Sequence, residues 1–125
     1  MSTVVVGYVP KPEGEAALDK AIEEARLRGA ELIVVHSHRS RGDDAEPDLS
    51  AVHAKLDGAD ISYDVRQLER GFEAAEDLVS VAEASDAELI VIGLRRRTPV
   101  GKLILGSNAQ RVLLDAHCPV LAVKA

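Results

Sequence analysis

The stretch Ala87-Glu-Leu-Ile-Val-Ile-Gly-Leu-Arg-Arg-Arg-Thr-Pro-Val-Gly-Lys-Leu-Ile-Leu-Gly-Ser-Asn108 decides how this chain reads. Ala87 to Ile92 is an apolar run broken only by Glu88, as expected of a strand buried on both faces. From Ser107 onward, Asn108, Ala109, Val112, Leu113 and Ala116 recur at helical spacing and predict an amphipathic helix over 107–116. Between them lies a long strand-to-helix loop with glycines at its hinges and three consecutive arginines, Arg95, Arg96 and Arg97. In an open α/β sheet this is the carboxyl end of a strand, where ligands bind. Gly106 lets backbone approach a ligand closely. Ser107 and Asn108 open a helix whose free N–H groups and dipole attract an anion. The chemistry indicated is phosphate binding.

Working outward, the same alternation repeats. Thr3 to Val9 reads as strand one, stopped by Pro10 and Pro12. Glu13 to Arg28 reads as a helix with Ala17, Leu18, Ala21, Ile22 and Ala25 on one face. Glu24 and Arg28 form an i, i+4 pair in it, and Gly29 suits its C-terminal cap. Glu31 to Ser37 is strand two. Arg39 to Pro47 is a polar surface loop, and a short helix covers about Asp48 to Leu56. Ile61 to Leu68 alternates as a half-exposed or edge strand does. Gly71 precedes a helix whose inward stripe is Ala75, Leu78, Val79 and Ala82. Val120 to Lys124 closes the chain, with Pro119 at the strand entrance. Strands alternating with helices predict an α/β, doubly wound parallel sheet with helices on both faces and right-handed crossovers.

The 125 residues suit one domain, expected over 1–125. With 46% hydrophobic but 2% aromatic residues and no Trp, the core must be Val, Leu, Ile and Ala. The net charge of −6 argues against non-specific nucleic-acid or membrane binding. A single cysteine, Cys118, excludes an intrachain disulfide and favours a reducing compartment. No signal peptide is expected, and no apolar run approaches the roughly 18 residues of a membrane span. The expected location is the cytoplasm.

Other motifs are weaker. Gly101-Lys102-Leu103 is not a Walker A loop, because Arg96 stands where the first glycine belongs and no Ser or Thr follows the lysine. His36 and His38 share one face of strand two, but no third ligand at convincing spacing joins them, Asp43 and Asp44 included, so no metal is expected. His36 is expected to pack near the top edge of the sheet, and His53 and His117 to lie on the surface. Cys118 is expected to be a buried, inert thiol. Ser107 lies in Gly-Ser-Asn rather than a nucleophile elbow and suits a helix cap or phosphate contact. No catalytic residue is assigned.

Glu15-Ala-Ala-Leu18, Leu32-Ile-Val-Val-His36, Ala87-Glu-Leu-Ile-Val-Ile-Gly93, Leu105-Gly-Ser107 and His117-Cys-Pro-Val-Leu-Ala-Val123 together resemble the universal stress protein family. The resemblance runs over essentially the whole chain. It implies a five-stranded parallel sheet in the order 3-2-1-4-5, an adenine nucleotide alpha hydrolase-like, flavodoxin-like shape, and a homodimer formed through the last strand. That strand is apolar and lies at an edge, which a two-fold partner would cover. Nucleotide-binding members carry G-x2-G-x9-G-[S/T]. Gly93 matches the first glycine and Gly106-Ser107 the last pair, while Arg96 replaces the middle glycine. Val9 stands where those members have an Asp at the end of strand one. Arg96 either substitutes a guanidinium for backbone donors or fills the pocket.

The resemblance thus implies a non-catalytic cytoplasmic stress-response protein that binds ATP or another adenine nucleotide, with or without Mg²⁺, and passes that state to a protein partner. The adenine would lie near Gly7, Tyr8, Val9 and Ser37. The phosphates would cross Ile92, Gly93, Arg95, Arg96, Gly106, Ser107 and Asn108, ordering the 95–103 loop. The rival reading is a dimeric interaction module without nucleotide. A slow ATPase ranks below both, for want of an evident general base or Mg²⁺-holding carboxylate.

Overall fold

The computed structural model describes residues 2–38, 49–69, 74–94 and 106–125, with backbone alone for Ser37, His38 and Glu69. The elements run β1 (Thr3–Gly7), α1 (Pro12–Arg28), β2 (Glu31–His38), α2 (Ser50–Gly58), β3 (Tyr63–Glu69), α3 (Ala74–Ala84), β4 (Leu89–Leu94), α4 (Ser107–Asp115) and β5 (Val120–Lys124). The five strands form one parallel sheet in the order β3-β2-β1-β4-β5. This is the doubly wound arrangement expected from the alternation. Arg39 to Pro47, Gly71, the arginine run and Lys102 lie outside the described residues.

Central β1 and β4 are continuous apolar runs because both of their faces are covered. Val4, Val5 and Val6 are fully buried, as are Ile90 and Val91. Alternate residues serve opposite layers. Val4, Val6, Leu32, Val34, Leu89 and Val91 pack under α1 and α2, with Leu18, Ala21, Val52 and Leu56. Val5, Ile33, Val35, Ile90 and Ile92 pack under α3 and α4, with Leu78, Val81, Ala82 and Val112.

Several boundaries differ from the sequence reading. β1 ends at Gly7, before Tyr8 and Val9, although Tyr8 N–H still donates to Val35 O at 2.9 Å. α1 starts at Pro12, whose fixed φ and missing N–H suit a first turn. It ends as expected at Gly29, with φ 62° and N–H donation to Ala25 O and Arg26 O. The Glu24–Arg28 pair forms at 3.1 Å. β2 continues through His38, and α2 runs from Ser50 rather than Asp48. In α3 the buried stripe is Ala75, Leu78, Val81 and Ala82, with Val79 only partly buried.

α4 departs most. Leu113, expected to face inward, is 42% exposed, and only Val112 in this helix is fully buried. The helix packs beside α3, and one narrow stripe, Ala109, Val112 and Ala116, joins the apolar cluster beneath them. Cys118 is half-buried rather than buried. Burial still pushes its thiol above the usual range, which disfavours the thiolate. His53 and His117 are exposed, and His36 is buried.

Candidate functional site

The two central strands end beside each other, and three helices begin or pass near those ends. Between them lies a cavity of about 150 Å³. Its floor is Gly7, Val35 and Ile92, and its walls come from Ala75 and Leu78 of α3 and Ala109 and Val112 of α4. Gly93, Val9 and the first turn of α1, Glu13 and Gly14, complete it. The volume holds one ring-sized portion of a ligand, below the roughly 300–1,000 Å³ of sites that enclose a drug-sized molecule.

Of the residues singled out in the sequence, Gly7, Tyr8, Val9, Ile92, Gly93 and Asn108 surround this cavity. Gly106 and Ser107 adjoin it at the start of α4, outside its lining. Val35 represents β2 there, and the side chain of Ser37 lies outside the described residues. Arg95 and Arg96 fall outside the described residues, so the guanidinium contribution expected of them has no geometry here.

Tyr8 lines the cavity and also serves the packing of the other layer. It shares the parity of Val4 and Val6, so its side chain enters the α1/α2 layer and is 5% exposed. Its hydroxyl donates to Glu15 Oε2, and its ring lies 6.2 Å from that of His36. Burial, then the bond to the Glu15 carboxylate, holds the phenol well above its ordinary range. Lys55 Nζ closes this corner at 3.3 Å from Glu15 Oε1 and 2.7 Å from Asp19 Oδ1. Its hydrogen bond to Asp19 raises the ammonium pKa.

The glycines have sharper reasons than conformational freedom. A Cβ on Gly93 would sit 2.0 Å from Glu13 O, and one on Gly14 would sit 1.8 Å from Val9 O. The first turn of α1 therefore rests on the end of β4, with the β1–α1 connection folded against it. Gly93 was read as a ligand glycine; its bare backbone also seats this helix. Gly14 escaped the sequence reading, because an interior helix glycine gives no sign of a long-range contact.

At the opposite side, Gly106 caps α4 with φ −70° and ψ 165°, a conformation open to any residue. Among the described residues no side chain caps the helix, and its first turn holds no acid. The early N–H groups of a helix have no intrahelical acceptor, and the dipole adds partial positive charge there. Ser107 and Asn108 are exposed. The arrangement is an apolar slot opening on an anion-favouring helix end. Among the described residues no group of three or more His, Cys, Asp or Glu is placed to hold a metal. No described helix is long and apolar enough to cross a membrane.

The sequence and the fold have counterparts among known proteins. The universal stress protein family model matches residues 1–124. A universal stress protein of Mycolicibacterium smegmatis is 44% identical over 128 aligned positions, covering 97% of this chain and 96% of that one. The structure of a universal stress protein from Archaeoglobus fulgidus superposes with TM-score 0.83 at 38% identity and 99% coverage of both chains. A universal stress protein from the same organism, solved in complex with dAMP, gives TM-score 0.72 at 32% identity, covering 99% of this chain and 98% of that one. With sheet order and whole-length sequence match in agreement, the chain belongs to the universal stress protein family.

Proposed function

We propose that this chain is a non-catalytic, cytoplasmic stress-response protein of one domain that binds an adenine nucleotide at the β1/β4 strand ends. The observation that carries the reading is the apolar slot of about 150 Å³ opening onto the uncapped start of α4. A flat base suits the slot between Val9, Val35, Leu78 and Ile92. The phosphates then leave toward Gly106, Ser107 and Asn108, whose backbone donors suit an anion. The dAMP complex of the relative 32% identical to this chain supports an adenine ligand. ATP, ADP or AMP is the expected cofactor, with Mg²⁺ serving the longer phosphate chains. A homodimer paired along β5 is part of the same proposal, since β5 ends the sheet. Light scattering at micromolar concentration should give twice the chain mass, and a monomer mass would remove that part.

The test is calorimetry and thermal shift on ligand-stripped protein with ATP, ADP, AMP and cAMP, with and without Mg²⁺. One or more should bind saturably, and ligand at about 100 times Kd should stabilise by roughly 2.7 kcal/mol. Gly106→Trp should abolish the effect by blocking the α4 opening. No shift with any nucleotide would overturn the reading and leave a protein-docking module, the alternative consistent with an apolar Val9 at the rim.

A further inference from the structure

The cavity has two chemically opposite ends. At α4 stand backbone donors without an acid. At α1 stands Glu13. Two acids lie in the first turn of α1, Glu13 and Glu15, and they are used differently. Glu15 accepts from Tyr8 and pairs with Lys55, within the packing of the molecule. Glu13 is half-buried, lines the cavity, and meets no hydrogen-bonding or ion-pairing side chain among the described residues. Its position is fixed, because its main chain lies against the bare backbone of Gly93. Among the described residues the other cavity-lining side chains are apolar apart from Tyr8, whose hydroxyl is committed to Glu15, and Asn108 on the α4 side.

A carboxylate at the rim of an apolar slot accepts hydrogen bonds and repels phosphate. We infer that Glu13 receives the ribose hydroxyls of the nucleotide and so sets which way the ligand lies. The inference rests on the nucleotide reading above and adds the residue that selects the sugar. With the base in the slot, the sugar emerges at the rim, where Glu13 stands. Two carboxylate oxygens match two adjacent hydroxyl donors, and charge-assisted bonds of this kind are the stronger ones. Repulsion between Glu13 and phosphate sends the phosphates to α4. Glu13 acts as a specificity-determining residue; no bond is made or broken.

The experiment compares AMP, dAMP and 2′,3′-dideoxy-AMP by calorimetry on wild type, Glu13→Gln and Glu13→Ala. Wild type should bind AMP roughly tenfold more tightly than the dideoxy analogue, with dAMP between them. Glu13→Ala should bring the three ligands within about twofold of one another, mainly by weakening AMP. Glu13→Gln, which keeps one acceptor and the helix packing, should retain a partial preference. Circular dichroism and thermal melts establish that both variants are folded. Undiminished preference for AMP in folded Glu13→Ala overturns the role of Glu13 and leaves nucleotide binding standing. Wild type that binds none of the three overturns both.

Discussion

The two faces of the sheet are built from the same kinds of residue and end in different states. Under α1 and α2 the described side chains pack closely at the carboxyl ends of the strands, and a hollow lined by Ala25, Arg26, Gly29 and Asp60 lies at their other end. α1 alone buries Gly14, Ala17, Leu18, Ala21, Ile22 and Ala25, and the top corner is sealed by Tyr8, Glu15, Lys55 and Asp19. Under α3 and α4 the packing stops short. α4 fully buries only Val112, and the cavity lies between its first turn, α3 and Gly7. Small residues on α1 bring that helix down onto the sheet, whereas Ala109 on α4 lines a gap. Similar composition thus gives a sealed layer on one side and a receptive one on the other. What decides is whether a helix can approach the strand ends.

The most severe test of this contrast is Gly14→Ala. The added methyl meets the Val9 carbonyl oxygen at 1.8 Å, so α1 must lift from the strand ends. A loss of roughly 3 kcal/mol or more is expected from chemical denaturation, the range of overpacking and backbone strain. A loss below about 1 kcal/mol would show that the closed layer is not held by this contact.

Next come matched truncations on the two faces. Leu18 is fully buried in the sealed layer, and Leu78 lines the cavity in the other. Leu18→Ala should cost roughly 3–5 kcal/mol, and Leu78→Ala about 2, because the lost methyls adjoin space already present. Urea midpoints for the two variants measure the difference directly. Equal losses would mean that both layers are packed alike.

The smallest effect concerns the sealed corner. Tyr8→Phe removes the phenol that donates to Glu15 and should cost about 1–2 kcal/mol at pH 8. The folded phenol is held above its ordinary value of 10.0, so the neutral form is favoured in the native state. The stability it confers is complete below that ordinary value and is lost as pH rises toward the folded one. The advantage of wild type over Tyr8→Phe should therefore shrink from about pH 10 upward. A constant gap between pH 8 and pH 11 would exclude the corner as its source.

These elements also show what was legible in the amino-acid order. β1 and β4 could be read because a parallel strand covered on both faces is apolar at every position. Gly29 could be read because a left-handed helix end favours glycine. The same continuity hides which face a strand residue serves, so the packing of Tyr8 under α1 could not be read from its place in the run, although Tyr8 also lines the cavity. Leu113 looked buried because periodicity gives the direction of a helix face and not how much sheet lies beneath it. Glu13 and Gly14 were missed because their importance arises from two chain ends meeting, Glu13 with Gly93 and Gly14 with Val9. Helical spacing within 13–28 carries no record of that meeting.

The seating of α1 on Gly93 also bears on how such a site can diverge. A helix seat that admits no side chain at Gly93 and none at Gly14 is closed to gradual substitution, since even a methyl group displaces the helix. Variation in ligand choice is then channelled to the movable margin, to Glu13, Val9, Asn108 and Ala109. A lineage carrying this fold can exchange one small molecule for another at that margin while its foundation stays unchanged.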